Sequence, residues 1–511
     1  MSTISKIFSA ELDGIDAKLI EVETDINVGL HSFTIVGLAD KALSEAKERV
    51  NSALKNSGIK PPTKENRRIV INLAPADIKK TGSQYDLALA LGYLLASEQI
   101  KKFTTTDKLF VGELSLEGKL RPITGALAIA SLAKRKGFTT LFVPRENAEE
   151  AAMIAGLVVV PVSSLTELIA HLEEKKYIPP QEATPIHTSR ETPFVDIGEI
   201  KGQESAKRAL MIAASGGHNI LMIGPPGTGK TMLGQALTSL LPPPELGEII
   251  EMTKIYSAAN LLGSDAMIRH RPFRSPHQSA SPASIVGGGQ NPRPGEISLA
   301  HRGILFLDEL PEFRRDILES LRQPIENGVA TISRVKNNLT LPARFTLVAA
   351  MNPCPCGYYG DSERACSCSA YEVIRYQKKI SGPLLDRIDI QINVPRVTLE
   401  ELRDKKELHE QSDALRKGVT TARNHQKKRF HKLPGKFTNA ELSSKECDTH
   451  IALTPQAEDF IKKMFDTSLV SARGYYRVLK VARTIADLDS AEIVDQPHVA
   501  EAFGYRLREK E

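Results

Sequence analysis

The residues best equipped for chemistry form one contiguous string, Gly224, Pro225, Pro226, Gly227, Thr228, Gly229, Lys230 and Thr231. It fits G-x-x-x-x-G-K-[ST], with a strand-like run at 219–223 before it and a helical pattern after it that Pro242 to Pro244 end. Glycines let the backbone curl so that successive N–H groups and a helix N-terminus face phosphate oxygens. Lys230 then reaches the β and γ oxygens and Thr231 holds Mg²⁺. A glycine turn without a ligand is the competing reading, and the strand–loop–helix setting argues against it. The spacing predicts a nucleoside triphosphate site.

Further along, Gly303 to Leu307 is an apolar run that ends in Asp308 and Glu309. A buried strand with two carboxylates at its C-terminal tip delivers them to the crevice where open α/β sheets bind ligands. Asp308 is expected to position Mg²⁺ and Glu309 to polarise the attacking water. Alone, such a strand is as often core plus a solvated turn; the phosphate loop tips the reading. A third run, Phe345 to Ala350, ends near Asn352, which either bonds the γ-phosphate and the lytic water or simply forms a turn before Pro353.

Four of five cysteines, Cys354, Cys356, Cys366 and Cys368, fall within fifteen positions. Zn²⁺ takes four thiolates tetrahedrally, so a structural zinc site is the first reading. The C-x-C spacing is tighter than the usual C-x₂-C, and unliganded thiols or a redox pair remain alternatives. Cys447 stands apart and reads as structural.

The elements that must carry these groups are those of a large soluble chain. It has 511 residues, 41% hydrophobic and 25% charged, with a net charge of +5 that is small beside its 67 basic and 62 acidic residues. Disordered, collagenous and coiled-coil classes are excluded. The longest apolar runs are about half of the roughly 18 residues a membrane span needs, and the N-terminus lacks a secretory pattern, so no membrane and a cytoplasmic location are expected. The fold class is α/β. Residues 1–175 alternate short apolar runs with helical patterns, 176–194 form a proline-rich linker, 195–397 form a second α/β unit, and 398–511 have helical spacing throughout.

With these motifs in hand, the chain resembles AAA+ ATPases of the magnesium-chelatase and MCM branch through PGEISLAHRGILFLDELPEF and VAAMNPCPCG. It is identified as a member of the ComM/YifB family, whose N-terminal domain, phosphate loop, cysteine-rich insert and SARGYYRVLKVARTIADL lid occur here in the same order. The resemblance implies an AAA+ α/β/α core with an all-α lid, ATP and Mg²⁺ as cofactors, and a homo-hexameric ring whose sites are completed by a neighbour. Arg387 in GPLLDRIDI matches the arginine finger and Arg473 the second sensor; a surface ion pair with Asp386 or Asp389 is the alternative for Arg387, and a helix-surface charge for Arg473. The sensor role of Asn352 also draws on this likeness.

DNA is the partner the resemblance implies. Thr331 to Thr340 carry a hairpin signal around Lys336, Asn337 and Asn338, and in the resembled helicases a hairpin here presents a basic residue to DNA. Arg334 and Lys336 are the candidates, against a solvated hairpin tip. The basic stretch from Ile268 to Glu296 resembles the branch's helix-2 insert, and His425 to Lys432 adds positive charge that is more often simply solvated. Val111 to Pro144 resembles the proteolytic domain of Lon, but Leu127 stands at the lysine position and Gln84, beside Ser83, at the serine position. A non-proteolytic platform is expected. The implied activity is a DNA motor, a branch-migration helicase acting on recombination intermediates in natural transformation; a metal-insertion motor is the alternative.

Overall fold

The computed structural model describes residues 4–37, 41–64, 66–78, 80–185, 195–263, 265–288, 293–332, 339–403, 408–433, 435–467 and 471–506. The chain divides into two compact units, 1–187 with 246–268, and 188–245 with 269–511.

The first unit is built on a seven-stranded sheet. Its strands are β1 (Ser5–Asp13), β2 (Asp16–Val28), β3 (Ser32–Val36), β4 (Arg67–Ala74), β5 (Lys108–Phe110), β6 (Thr140–Pro144) and β7 (Val158–Val162), in the spatial order β3-β4-β2-β1-β5-β6-β7. Strands β1 and β2 form an antiparallel hairpin that closes at Asp13 and Asp16, with Gly14 supplying the positive φ of the turn. Helix Asp86–Ala96, LALALGYLLA after its first residue, is buried along its whole length.

Part of the expected linker is docked. Ile178 is buried, and the Gln181 N–H donates to the Val159 carbonyl at 2.8 Å. Prolines bar helix there, but an extended chain still donates its other N–H groups to the edge of the unit. Residues 186–194 lie outside the described residues.

Residues 246–268, expected with the ATPase core, fold with the first unit. Helix Leu246–Ala258 buries Ile249 and Met252 against Leu127, Met153 and Met267. Ser257 Oγ donates to the Glu150 carboxyl, which also accepts the Leu127 N–H at 2.8 Å. Burial pushes the Glu150 pKa up, against those hydrogen bonds. Leu127 thus belongs to an apolar cluster, and Ser83 Oγ is engaged by Glu113.

The second unit has a five-stranded parallel sheet. Its strands are β8 (Ile220–Ile223), β9 (Phe273–Arg274), β10 (Ile304–Leu307), β13 (Thr346–Met351) and β14 (Ile390–Asn393), in the order β9-β10-β13-β8-β14; β11 (Val329–Ile332) and β12 (Leu339–Pro342) form a separate hairpin. Near-continuous apolar runs such as ILFL are what a sheet covered on both faces requires. The helical region after residue 398 shares one core with this sheet: Val478, Leu479 and Ala482 cluster with Leu210, Ala236 and Ile390. The basic run 425–432 is partly committed to structure, because Arg429 pairs with the buried Asp487 and Lys427 with Glu245. Among the described residues no helix is long and apolar enough to cross a membrane.

Candidate functional site

Parallel pairing aligns the ends of three strands. Ile223 of β8 is level with Met351 of β13, and Leu307 of β10 with Ala349. The residues that follow, the loop from Gly224, Asp308 with Glu309, and Asn352, therefore emerge along one edge of the sheet.

The loop's shape follows from its glycines. Gly227 and Gly229 have φ of +80° and +83°, which other residues rarely adopt. Gly224 is needed for a different reason, since a Cβ there would lie 2.3 Å from the Val394 carbonyl oxygen. Pro225 and Pro226 stiffen the curve, and Thr228 Oγ1 donates back to the Pro225 carbonyl at 3.0 Å. Helix Lys230–Leu240 starts directly from this loop.

Lys230 is almost fully buried at the centre. Its Nζ donates to the carbonyls of Gly224 and Pro225 at 2.7 and 2.8 Å and to Asn352 Oδ1 at 3.2 Å. Burial lowers its pKa while Asp308 and Glu309 pull it up. Thr231 Oγ1 donates to Asp308 Oδ2 at 2.7 Å, so a hydroxyl and a carboxylate converge as two oxygen ligands for a hard cation. Glu309 is exposed and left-handed at φ +50°, with its N–H bonded to Asp308 Oδ1 at 2.9 Å. A non-glycine residue held there is strained, as side chains aimed at a reaction often are.

The two predicted arginines sit elsewhere, together. Arg387 is buried and paired with Glu326, whose other oxygen lies 3.3 Å from the exposed Arg473. Arg387 foremost, then Arg473, hold the Glu326 carboxyl below its usual range. The Arg387 partner is therefore neither Asp386 nor Asp389. Asp389 instead binds Arg477, which also donates to the Arg387 carbonyl at 2.6 Å. Sequence reasoning missed Glu326 and Gln203; the latter donates from Nε2 to the Pro395 and Thr228 carbonyls. No local pattern marks them, because their partners are remote in sequence. Arg334 and Lys336 lie outside the described residues.

The four cysteines meet at one point. Cys354, Cys356 and Cys366 sulfurs lie 3.4 to 3.6 Å apart, and all four are mutually within 4.8 Å. A tetrahedral Zn²⁺ with bonds of about 2.3 Å separates its sulfurs by about 3.7 Å, so the set fits. The N–H groups of Cys356, Tyr359 and Cys368 point at the sulfurs at 3.3 to 3.4 Å. That of Tyr358, above all, holds the Cys356 thiol down to about 5 against residual desolvation. Such N–H donors favour a thiolate at Cys356, whereas at Cys366 and Cys368 they are outweighed by desolvation and the neighbouring sulfurs, which push those thiols up. The loop packs on the nucleotide site: a Cβ on Gly357 would come within 2.7 Å of Pro226 Cδ.

Comparison with known proteins agrees with this geometry. The family described as magnesium chelatase, subunit ChlI, matches residues 196–402, its C-terminal part matches 409–506, and the family described as subunit ChlI of Mg-chelatase matches 22–147. The chain is 42% identical to competence protein ComM of Haemophilus influenzae over 99% of this chain and 97% of that one. It is also 42% identical to YifB of Escherichia coli, over 96% of this chain and 95% of that one. A Lon protease of Rhizobium meliloti is 27% identical over 31% of this chain and 20% of its own length. A full-length likeness of this degree, on a parallel sheet that gathers a phosphate loop and two carboxylates, makes the chain a magnesium-chelatase-like AAA+ ATPase of the ComM/YifB family.

Proposed function

We propose that the chain is an ATP-driven DNA motor that works as a hexameric ring, a branch-migration helicase acting on recombination intermediates during natural transformation. The observation that carries the reading is the division of its charged groups. Lys230, Thr231, Asp308, Glu309 and Asn352 gather at one sheet edge, while Arg387 and Arg473 gather on Glu326. In this reading a neighbouring protomer's Arg387 and Arg473 complete each site, and breakdown of ATP moves one protomer against the next. The name of the Haemophilus relative, a competence protein, supports the assignment to natural transformation.

Within a site, Lys230 neutralises the β and γ oxygens, and Thr231 with Asp308 would hold Mg²⁺, which when bound would supply further charge neutralisation. Glu309 orients the water and accepts its proton; Asn352 bonds the γ-phosphate and that water. The neighbour's guanidinium stabilises charge developing on the γ-phosphoryl. The four cysteines would hold zinc in a structural role, which would keep the 354–368 loop against the phosphate loop.

The test is the ATPase rate with and without four-way DNA. Lys230→Ala abolishes turnover; Lys336→Ala keeps basal turnover and loses its stimulation by DNA. Wild-type protein that hydrolyses ATP at one rate with or without DNA, and moves no branched DNA, would refute the motor. The matches to magnesium chelatase subunits favour a second reading, a metal-insertion motor. It predicts binding to a chelatase partner and indifference to DNA.

A further inference from the structure

Two tripeptides of like chemistry, Lys101-Lys102-Phe103 and Lys175-Lys176-Tyr177, lie far apart in the sequence yet meet at one place in the first unit. They flank a cavity of about 710 Å³ whose walls include Lys101, Lys102, Phe103, Lys176, His171 and Tyr177. That volume falls in the range of small-ligand and nucleotide sites. The Lys101 N–H donates to Glu173 at 3.3 Å, which ties the two segments together.

A ladder of rings runs from the core to this cavity. Phe103 lies 6.0 Å from Phe110, Phe110 stacks on Phe142 at 4.7 Å, Phe142 meets His171 at 5.8 Å, and His171 meets Tyr177 at 5.8 Å. Phe110 and Phe142 are buried and Phe103 and His171 half-buried, whereas Tyr177, the last rung, is 72% exposed. A ring propped from behind and open in front is a platform for another flat, apolar-faced group. His171 suits the same use. Its Nδ1 accepts the Ile178 N–H at 3.0 Å, which leaves the proton of the neutral ring on Nε2, and burial disfavours its cationic form.

The rim is basic. Of its carboxylates Glu173 is engaged by Lys175 at 2.6 Å, and from outside the cavity Glu167 pairs with Lys176 at 3.4 Å and Glu98 with Lys102 at 3.8 Å. Glu174 is exposed and lessens the excess without reversing it. Surface pairs of this kind hold their partners weakly, so a phosphate can take over the lysines. Aromatic faces for bases, flanked by ammonium groups for a backbone, are the combination that binds single-stranded nucleic acid without regard to sequence.

We propose that this cavity is a second binding site for single-stranded DNA, distinct from the candidates Arg334 and Lys336, with a base stacked on Tyr177 and phosphates on Lys101, Lys102 and Lys176. The proposal rests on the reading of the chain as a DNA motor and adds to it a place on the first unit that holds displaced strand.

The chain contains no tryptophan, so Tyr177→Trp in the full-length protein is a unique reporter. Titration with an oligo-dT 12-mer is expected to quench its emission, with an affinity that falls as salt rises. Lys101→Ala and Lys176→Ala in that background each lower the log–log salt slope by about 0.7. Tyr177→Ala keeps basal ATPase and weakens 12-mer binding by about tenfold, in keeping with 1–3 kcal/mol for one stacked base. Unquenched emission from a variant whose ATPase still responds to DNA refutes this site and leaves the motor standing. Unquenched emission with no ATPase response refutes both. Equal quenching by inorganic phosphate alone marks a plain anion site and also overturns the proposal.

Discussion

Glu309 and Asp389 show how one residue type serves two ends. Glu309 is exposed, strained and next to the cation ligands, so its role in the proposed mechanism is proton acceptance from water. Glu309→Gln is expected to retain ATP binding and to slow hydrolysis by about 10²–10⁴-fold, measured by nucleotide binding beside single-turnover hydrolysis. Asp389 is buried. Burial alone would raise its pKa, but Arg477 and His218 outweigh it and hold the carboxyl below the ordinary value of 3.8. Its contribution is thus complete above pH 3.8 and is lost as pH falls through the depressed folded value. Asp389→Asn is expected to cost about 3–5 kcal/mol at pH 7, because Arg477 is left without its charge partner, and less near pH 3. Urea unfolding at both pH values checks this; an equal penalty would contradict the charge assignment. At this scale the contiguous string Gly224 to Thr231 was legible because its function depends on neighbours in sequence. Glu326 was not, because its meaning comes from two arginines that only the folded chain brings to it.

Elements differ in how much of themselves they show. Buried strands such as ILFL and TLFVP declare themselves by composition. The β1–β2 hairpin was overlooked, although Asp13-Gly14 between alternating runs is a turn signal. Helix Leu246–Ala258 has an apolar stripe that looks the same whichever core it fills, so only its packing shows that it belongs to the first unit. Helix Lys230–Leu240 meets strand β10 closely at Gly234, where a Cβ would stand 2.4 Å from the Phe306 ring. Gly234→Ala is expected to cost about 1–3 kcal/mol by forcing helix and ring apart, and to weaken ATP binding with it; thermal unfolding with and without ATP measures both. The cysteine loop was legible in its ligands but not in its placement. One Zn²⁺ per protomer is expected by atomic absorption, and Cys366→Ser with Cys368→Ser loses it. Because Gly357 lies against Pro226, ATP affinity is expected to fall in that variant.

For the whole molecule, the proposed ring can be tested by mixing inactive proteins. Lys230→Ala and Arg387→Ala each lack one half of a shared site. In a one-to-one mixture of head-to-tail rings about a quarter of interfaces pair an intact loop with an intact arginine, so activity returns towards about a quarter of wild type. No recovery would mean that Arg387 serves its own protomer.

Because residues 246–268 lie with the first unit, the chain passes between its two units three times. The intervening run after helix Lys230–Leu240 holds Pro242, Pro243 and Pro244, which gives little slack. The molecule therefore cannot be dissected at its obvious seam. A piece ending at residue 185 would bare Leu127 and Met153, and a piece starting at 195 would carry Ile249, Met252 and Met267 uncovered, so each clumps when made alone. A protease cutting within 186–194 leaves two polypeptides that still travel as one particle.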